Sequence, residues 1–504
     1  MLATILSRAQ FGMEAPQVCV EVHLGAGLPT LSIVGLPEAV VIESKDRVRS
    51  ALATANFEFP AGRITVNLAP ADLPKEGGRF DLPIALGVLV ASGQVPVRAL
   101  DGCEFYGELS LSGELRAVRG VLPAVCQAAR QSHRVVLPRA NLGEAVLVRD
   151  ALIAPAAHLL DVCAHVAGTA PLTFAAAPEQ ERSSVRLDYP DLMDVRGQAH
   201  ARRALEIAAA GAHSLLLSGP PGTGKSMLAH RLPGILPPMT EREALETATV
   251  ASVSVSGFRV QDWGRRPFRA PHHTASALAL VGGGGHPRPG EISLAHNGVL
   301  FLDELPEFTH RVLEALREPL ETGTITISRA ARQSEFPARF QLVAAMNPCP
   351  CGFLGDRAGR CRCSESQVQR YRARISGPLL DRIDLHVEMP RPDASSFHTV
   401  ASSDSTAHVA ARVARARAMQ VARGATINAR LSVRELQAHC ALTRAAGQLL
   451  VRAASKLHLS ARAHHRILRV ARTIADLEQS EALAEHHLAE AIQLRRAGYT
   501  SESS

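Results

Sequence analysis

Gly-Pro-Pro-Gly-Thr-Gly-Lys-Ser, residues 219–226, matches the phosphate-binding loop pattern G-x-x-x-x-G-K-[ST] at every required position. The apolar run at 213–218 before it is typical of a strand, and Met227-Leu228-Ala229 after it continues as a helix. Strand, loop and helix are the context in which this motif binds phosphate, because its glycines leave room for backbone N–H groups to surround the oxygens. The octapeptide therefore predicts an α/β fold with a parallel sheet that binds a nucleoside triphosphate.

All eight residues of this loop are predicted to contact the nucleotide. Lys225 is expected to reach the β and γ phosphates, and Ser226 is expected to hold Mg²⁺. The chain has only four lysines among its 55 basic residues, so the lysine at 225 fits a role that arginine cannot fill. The predicted contacts with ATP are made by Gly219, Pro220, Pro221, Gly222, Thr223, Gly224, Lys225 and Ser226.

Polar side chains follow two further buried strands of the predicted sheet. Val299–Leu302 is followed by Asp303 and Glu304, and the run 340–346 is followed by Asn347. We expect Asp303 to bind Mg²⁺ through water and Glu304 to polarise the attacking water. The carboxyl ends of parallel strands meet at one edge of a sheet, so Asn347 is expected to sense the γ phosphate beside the loop. An acidic strand end and an ordinary asparagine before a proline turn are the alternatives.

Two arginines are candidates for stabilising the charge that develops during phosphoryl transfer. Arg382, in Leu380-Asp381-Arg382-Ile383-Asp384, suits an arginine finger that acts on a neighbouring subunit. A salt bridge from Arg382 to Asp381 or Asp384 is the alternative. Arg462, at the start of a predicted helix, is a candidate second sensor of the γ phosphate.

Composition and charge bound the class of protein. The 504 residues are 46% hydrophobic and 20% charged, as in a globular chain of several domains. No apolar run approaches the roughly 18 residues of a membrane span, and Arg8 interrupts the apolar start, so we expect a cytoplasmic protein that does not bind membranes.

The net charge of +7 is concentrated at 409–472, where twelve arginines and Lys456 accompany one acid, Glu435. This region suits a polyanion partner or a solvated helical surface.

Four of the nine cysteines form two C-x-C pairs separated by nine residues. They are Cys349, Cys351, Cys361 and Cys363. Paired cysteines in a cytosolic chain indicate metal ligands before disulfides, and four thiolates would bind a structural Zn²⁺ tetrahedrally. Free thiols and a redox function are the alternatives.

Beyond the phosphate loop, the chain resembles the ComM/YifB family of magnesium-chelatase-like AAA+ ATPases along nearly its whole length. Phe-Arg-Ala-Pro-His-His at 268–273 and Asn-Pro-Cys-Pro-Cys-Gly at 347–352 are its narrowest markers. Leu-Pro-Lys-Glu-Gly-Gly-Arg-Phe-Asp-Leu-Pro at 73–83 and Leu-Asp-Glu-Leu-Pro-Glu-Phe at 302–308 also match. The resemblance implies hexamers in the presence of nucleotide or DNA, and ATP-driven branch migration of recombination intermediates, in ComM proteins during natural transformation.

The resemblance also implies three domains. They are residues 1–168, a Lon-protease-like (ribosomal S5 domain 2-like) α+β domain; 190–395, the AAA+ ATPase domain after a linker at 169–189; and 396–504, a C-terminal helical lid. Lon-type proteolysis needs a nucleophilic serine and a lysine base. The positions that align with these two residues hold Asp81 and Leu122, so we expect an inactive domain used for assembly or DNA contact.

By the same resemblance, the segment 323–337 is a hairpin that points into the pore of a ring. Thr324–Ser328 alternates like a strand, and Arg329, Arg332 and Arg339 follow it closely. A basic hairpin suits contact with DNA phosphates without base readout, whereas an exposed hairpin with a solvated tip is the alternative. The expected partner is single-stranded or branched DNA. A motor that remodels a protein partner is the main alternative function, and an ATP-dependent protease is the third.

Overall fold

Two large β-sheets, each packed with helices, and a group of C-terminal helices make up most of the part of the chain that the computed structural model describes. The described residues are 1–96, 100–174, 189–284, 287–329, 332–355, 359–391, 404–424, 427–457 and 459–496. Most of the predicted linker, and residues 392–403 near the start of the predicted lid, lie outside them. Among the helices within these ranges, none is long and apolar enough to cross a membrane.

The N-terminal part is a seven-stranded mixed sheet with helices packed against it. Its strands are β1 (Leu2–Arg8), β2 (Gln17–Gly25), β3 (Thr30–Val34), β4 (Arg63–Ala69), β5 (Cys103–Phe105), β6 (Glu108–Leu109), β7 (Leu115–Arg116), β8 (Arg134–Pro138) and β9 (Leu152–Ala156). Its helices are α1 (Ala39–Ile42), α2 (Ser44–Thr54), α3 (Asp81–Ala91), α4 (Val121–Arg130), α5 (Leu142–Ala145) and α6 (Leu159–Val166). The strand order is β3-β4-β2-β1-β5-β8-β9, and β6 and β7 form a separate hairpin. The helix α3 is buried along almost its whole length.

The central part is built on a five-stranded sheet in which every pairing is parallel. Its strands and those of two small hairpins are β10 (Leu215–Ser218), β11 (Phe268–Arg269), β12 (Gly282–Gly283), β13 (Arg288–Pro289), β14 (Val299–Leu302), β15 (Thr324–Arg329), β16 (Arg332–Pro337), β17 (Gln341–Met346) and β18 (Leu385–Glu388). The sheet order is β11-β14-β17-β10-β18. The strands β14 and β17 are buried at every position, as expected for a parallel sheet covered on both faces.

Helices surround this sheet. They are α7 (Ala199–Gly211), α8 (Lys225–Ala229), α9 (Leu232–Ile235), α10 (Glu241–Ser252), α11 (Ala277–Val281), α12 (Glu291–Leu294), α13 (His310–Ala315), α14 (Arg317–Thr322), α15 (Glu365–Arg372) and α16 (Gly377–Asp381). Side chains cap several of them: Thr240 and Glu243 form a reciprocal capping box at the start of α10, which satisfies N–H groups that lack a partner within the helix.

Five helices form the C-terminal part. They are α17 (Thr406–Ala422), α18 (Val433–His439), α19 (Arg444–Lys456), α20 (Ala461–Leu477) and α21 (Glu485–Arg496). The apolar side of α20, with Ile467, Ala471 and Ile474, shares one core with Leu215 of β10 and Leu385 of β18. The helices α17 and α20 pack against α7, which lies on the sheet, and α21 packs against β18, so these helices extend the core on one face of the central sheet.

The N-terminal part contacts the central part around α4 and again at the turn after β1. The N–H of Gly120, before α4, donates to the oxygen of Ser252 in α10 at 3.2 Å, and Ala248 of α10 joins the core around α4. In the turn after β1, a Cβ added to Gly12 would lie 3.1 Å from the Cβ of Ser334 in β16. The N-terminal part therefore touches the middle of the hairpin formed by β15 and β16, where Ser334 pairs with Ile327.

The predicted α/β class is confirmed by the mostly parallel central sheet. The sequence also predicts a helix at Val121–Arg130 and a short buried strand at Val135–Pro138, and both are present as α4 and β8, with β8 one residue longer. The boundaries of the three domains and the likeness of residues 1–168 to Lon stay predictions.

Candidate functional site

The predicted phosphate loop connects β10 to α8 and bends sharply at its glycines. Gly222 and Gly224 have φ values of 79° and 90°, which side chains with a Cβ rarely adopt. Gly219 is needed for another reason, because a Cβ there would collide with the main-chain oxygen of Met389. Thr223 steadies the loop from within by donating its hydroxyl to the oxygen of Pro220 at 3.0 Å.

Lys225 is buried beneath this loop and folds back onto it. Its Nζ donates to the main-chain oxygens of Gly219 and Pro220 at 2.6 and 2.9 Å, and to Oδ1 of Asn347 at 3.1 Å. Burial lowers the pKa of Lys225, while the nearby carboxylates of Asp303 and Glu304 act in the opposite direction. The ammonium group is therefore held by acceptors that a bound phosphate could replace.

Ser226, Asp303 and Glu304 meet where β14 ends beside the loop. The hydroxyl of Ser226 donates to Oδ2 of Asp303 at 2.6 Å, and the N–H of Glu304 donates to Oδ1 of Asp303 at 2.9 Å. Hydroxyl and carboxylate oxygens are the ligands that Mg²⁺ prefers, so this pair fits the predicted magnesium site.

Glu304 has an unusual backbone and a partner that the sequence did not predict. Its φ of 53° and ψ of 47° put it in the left-handed region, which few residues with a Cβ adopt, and its side chain is 53% exposed. Its Oε2 lies 3.2 Å from Nδ1 of His273. His273 belongs to the Phe-Arg-Ala-Pro-His-His stretch at 268–273, so that stretch supplies a side chain to the predicted water-activating residue.

The sheet explains why Asn347 reaches the loop. The strand β17 lies between β14 and β10, and all three run parallel, so their carboxyl ends meet at one edge. Asn347 directly follows β17 and therefore contacts Lys225. A second connection that the sequence did not predict comes from Gln198, whose Nε2 donates to the oxygens of Thr223 and Pro390 at 3.4 and 2.7 Å.

Arg382 lies at the opposite edge of the sheet. The hydroxyl of Ser214, just before β10, donates to the main-chain oxygen of Arg382 at 3.1 Å. The phosphate loop begins after Ser218, which lies four residues further along β10 than Ser214. At a strand rise of about 3.3 Å per residue, Ser214 and Ser218 are roughly 13 Å apart. The structure thus separates Arg382 from the loop of its own chain.

Neither aspartate beside Arg382 is its partner. Asp381 accepts from Arg495 at 2.7 Å, and the buried Asp384 accepts from Arg466, which helps to hold the pKa of that carboxyl well below its usual range against the cost of burial. Arg382 instead lies 2.7 Å from Oε1 of Glu321.

Arg462 lies with Arg382 rather than with the phosphate loop. Its Nη2 is 3.6 Å from the same Oε1 of Glu321. The structure therefore divides the predicted site residues into two groups. Those at 219–226, 303–304 and 347 gather at the carboxyl edge of the sheet, and Arg382 and Arg462 gather at the amino edge.

The four cysteines of the two C-x-C pairs come together directly after Asn347. Their sulfur atoms all lie within 4.8 Å of one another, and three of the Sγ–Sγ distances are 3.4, 3.6 and 3.8 Å. A tetrahedral site with Zn–S bonds of about 2.3 Å has edges of about 3.8 Å. The donor set is therefore the one that a structural Zn²⁺ requires.

The chemistry of these thiols also favours a cation. N–H groups of Phe353 and Arg362 lower the pKa of Cys351 to about 6, whereas hydrogen bonds to neighbouring thiols contribute to raising the pKa of Cys361 and Cys363. Four thiolates this close repel one another unless a cation lies between them. The loop also contacts the nucleotide site, since a Cβ on Gly352 would lie 2.7 Å from Cδ of Pro221.

The predicted polyanion surface is smaller than the charge count indicates. Within residues 409–472, many arginines donate to groups inside the chain, with Arg423 and Arg472 on Asp476, Arg412 on Glu206 and Arg469 on the oxygen of Leu431. The side chains of Arg329 and Arg332 at the tip of the hairpin lie outside the described part of the structure.

The two positions aligned with Lon catalytic residues are buried. Asp81 accepts from Arg47 at 2.7 Å and from the hydroxyl of Ser44. Leu122 is fully buried in the core beside α10. This environment suits an ion pair and an apolar contact that hold the N-terminal part together.

The chain is similar to known proteins throughout its length. Three family models match successive parts of it: "Subunit ChlI of Mg-chelatase" over residues 20–141, "Magnesium chelatase, subunit ChlI" over 191–397, and "Magnesium chelatase, subunit ChlI C-terminal" over 403–495. The second of these spans the phosphate loop, the carboxylates at 303–304 and the four cysteines.

Individual relatives show a closer likeness. The competence protein ComM of Haemophilus influenzae is 52% identical over 498 residues, which cover 98% of this chain and 97% of the relative. YifB of Escherichia coli is 48% identical over 495 residues, with 98% and 97% covered. A stretch of 96 residues, 19% of this chain and 10% of the relative, is 31% identical to the DNA replication licensing factor Mcm6 of Drosophila melanogaster. Because it is 52% and 48% identical to these ComM and YifB proteins over nearly its full length, the chain belongs to the ComM/YifB family of magnesium-chelatase-like AAA+ ATPases.

Proposed function

We propose that this protein binds ATP at the loop 219–226 and hydrolyses it with Glu304 as the group that activates the attacking water. One observation carries the proposal. Lys225 is hydrogen-bonded to Asn347 and the adjacent Ser226 to Asp303, so four predicted site residues meet at the carboxyl edge of a parallel sheet. Membership of a family of AAA+ ATPases supports the same conclusion.

Each residue of this edge has a distinct task in the proposal. Phosphate oxygens replace the main-chain oxygens of Gly219 and Pro220 as acceptors for Lys225, and Asn347 senses the γ phosphate. Ser226 and Asp303 hold Mg²⁺, which when bound supplies positive charge to the phosphates. Desolvation of Lys225 strengthens its attraction to phosphate, because charges interact more strongly away from water.

We propose that Arg382 and Arg462 act on ATP held by a second copy of the chain. Both lie at the amino edge of the sheet, so neither is placed to assist the loop of its own chain. Head-to-tail contacts between identical copies form a closed ring when the rotation between neighbours closes, and the proposed ring is the expected hexamer. In such a ring each nucleotide is completed by an arginine from the next subunit.

We further propose that this motor acts on single-stranded or branched DNA and migrates the branches of recombination intermediates. The Haemophilus influenzae relative is named a competence protein, and the short Mcm6 match is to a DNA replication licensing factor. The replication name supports a DNA substrate, and the competence name supports a role in natural transformation. The hairpin of β15 and β16 is the element proposed to contact the DNA backbone.

The test is the rate of ATP hydrolysis with and without forked DNA, followed by a fluorescent mobile-junction assay. Wild-type protein should be stimulated by forked DNA and should move the junction, and Lys225→Ala should do neither. A wild-type protein that hydrolyses ATP well, yet shows no DNA stimulation and no junction movement on several branched substrates, would instead support remodelling of a protein partner.

We propose that Cys349, Cys351, Cys361 and Cys363 hold a structural Zn²⁺, on the grounds that their sulfur positions match a tetrahedral site. We propose that the N-terminal part serves assembly or DNA contact rather than proteolysis, because Asp81 is engaged by Arg47 and Leu122 is buried.

A further inference from the structure

A cavity of about 700 Å³ opens at the amino edge of the central sheet, away from the phosphate loop. Among the described residues, six arginines line the cavity, whereas only two carboxylates do, those of Glu321 and Asp384. The arginines are Arg339, Arg382, Arg430, Arg462, Arg466 and Arg469. Arg466 already binds Asp384, so Glu321 is the carboxylate left among these lining residues to balance the others.

Glu321 pairs with both of the arginines proposed to act across the ring. Its Oε1 lies 2.7 Å from Arg382, which is 7% exposed, and 3.6 Å from Arg462, which is 64% exposed. Carboxylate and phosphate compete for guanidinium groups, because both accept its parallel N–H groups. Glu321 therefore occupies the partner position that a phosphate from another subunit would need.

Positive charge in the cavity exceeds what Glu321 can balance. Nε of Arg382 is buried and has no hydrogen-bond partner among the described residues. Burial lowers the pKa of Arg430, with Arg339 adding to the effect, and burial likewise lowers the pKa of Arg469, with Arg466 adding to it. An additional anion would stabilise the charged form of these arginines. The cavity is thus suited to an anion with more acceptor oxygens than one carboxylate.

Glu321 is also connected to the hairpin through a few residues and their hydrogen bonds. It lies in the last turn of α14, three residues before β15 begins at Thr324. The hydroxyl of Thr322 donates to the oxygens of Glu318 and Thr324, both at 3.0 Å, and so joins the helix to the first residue of β15. The N–H of Ala338 donates to the oxygen of Gly323 at 2.8 Å and closes the base of the hairpin. A shift of Glu321 therefore reaches the hairpin through a short, hydrogen-bonded connection.

We infer that Glu321 is a positioning residue that couples ATP on one subunit to the hairpin of the next. In the free subunit it holds Arg382 and Arg462. When the phosphate tail of a nucleotide bound to a second copy enters the cavity, both arginines transfer to the phosphate and Glu321 is released. The end of α14 and the base of the hairpin then shift. The coupling rests on the proposed function, since it takes the neighbour's ATP as the anion that fills the cavity.

The first test compares ATPase rates of Glu321→Gln and wild type with and without forked DNA. Loss of the charge frees the arginines, so the rate without DNA should rise about threefold or more, and the stimulation by DNA should shrink accordingly. Glu318→Gln, an exposed position on the same helix, is the matched control and should keep wild-type rates. A Glu321→Gln rate that is unchanged, or as low as that of Arg382→Ala, would overturn the inference.

The second test reads the hairpin directly, by hydrogen exchange of the full chain with and without a non-hydrolysable ATP analogue. In wild type, exchange of peptides covering 324–338 should change when the analogue is added, and in Glu321→Gln this change should be lost. If Glu321→Gln does not fold in a thermal melt, Glu321→Asp keeps the charge on a shorter side chain and should show an intermediate response. An equal response of the hairpin in variant and wild type would contradict the coupling.

The two proposals fail in different ways. Wild-type ATPase that ignores DNA would remove the proposed DNA motor. Wild-type ATPase that responds to DNA, together with a Glu321→Gln protein identical to it in both tests, would remove the coupling alone.

Discussion

Lys225 and Glu304 lie at the same edge of the central sheet, but their surroundings differ. Lys225 is buried and donates to three oxygens, so Lys225→Ala removes the charge that the phosphates need, and ATP affinity should fall about tenfold or more. Glu304 is half exposed at the rim of the site, so Glu304→Gln should leave ATP binding intact while hydrolysis falls about 10²–10⁴-fold. Binding of a fluorescent ATP analogue and steady-state hydrolysis separate the two effects.

A nearby carboxylate provides the control for this comparison. Glu307 is exposed and paired with Arg374 at 2.7 Å, so Glu307→Gln should keep both ATP binding and hydrolysis. If Glu304→Gln turned over ATP at the wild-type rate, Glu304 would not be the group that activates water.

Arg382 tests whether the site is completed by a second subunit. Arg382→Ala and Lys225→Ala should each abolish most of the activity, since arginine fingers contribute about 10³–10⁵ in rate in well-studied GTPases. In an equimolar mixture, about a quarter of randomly formed interfaces combine an intact loop with an intact Arg382, so activity should partly return. The measurement is ATPase rate across mixing ratios, with oligomerisation verified by light scattering. No recovery at any ratio would show that Arg382 acts within its own chain or is structural.

At the scale of elements, the parallel sheet made much of the candidate site predictable. Strand ends at Asp303 and Asn347 could be recognised from buried apolar runs, and parallel strands bring such ends to one edge. The pairing of Glu321 with Arg382 could not be predicted, because 61 positions separate two side chains that meet only through packing of α14 against the sheet's other edge. His273 was visible as part of a narrow sequence marker, but its contact with Glu304 depends on the path of a loop.

The cysteine loop between β17 and α15 is the element with the most direct chemical test. It should hold about one Zn²⁺ per chain, because four sulfurs already lie at tetrahedral spacing. Elemental analysis of protein purified without added metal measures this. Cys351→Ser should lose zinc and lower the thermal unfolding midpoint, since metal binding stabilises the folded loop. Its control, Cys126→Ser in α4, lies outside the cluster and should keep the zinc.

The opposite outcome for this element is equally clear. Protein that contains no zinc, and whose four thiols are all alkylated in the folded state, would show that the cluster is not a metal site. The contact of Gly352 with Pro221 gives a second readout, because zinc loss should also slow ATP hydrolysis.

For the whole molecule, the distribution of charge is where sequence and structure differ most. The basic stretch at 409–472 suggested a polyanion surface, yet arginines such as Arg412 and Arg423 form ion pairs within the fold. The sequence gives the number of charges but not which charges pair in the fold. Glu206, the partner of Arg412, lies 206 residues before it in the chain. Arg444 and Arg452 of α19 are exposed, so α19 is a second candidate DNA contact to compare with the hairpin.

The hairpin of β15 and β16 and the exposed arginines of α19 are therefore the two candidate DNA contacts. Binding through phosphates releases counterions, so affinity should fall steeply with salt and depend little on base sequence. Removing two phosphate contacts by Arg329→Ala with Arg332→Ala should lower the slope of log affinity against log salt by about 1.4 for single-stranded DNA. Arg444→Ala with Arg452→Ala removes the same charge from α19 and should leave the slope near that of wild type. Fluorescence anisotropy at several salt concentrations measures both. A slope that falls in the α19 pair and not in the hairpin pair would move the DNA contact to the C-terminal helices, and equal wild-type slopes in both would exclude either as the contact.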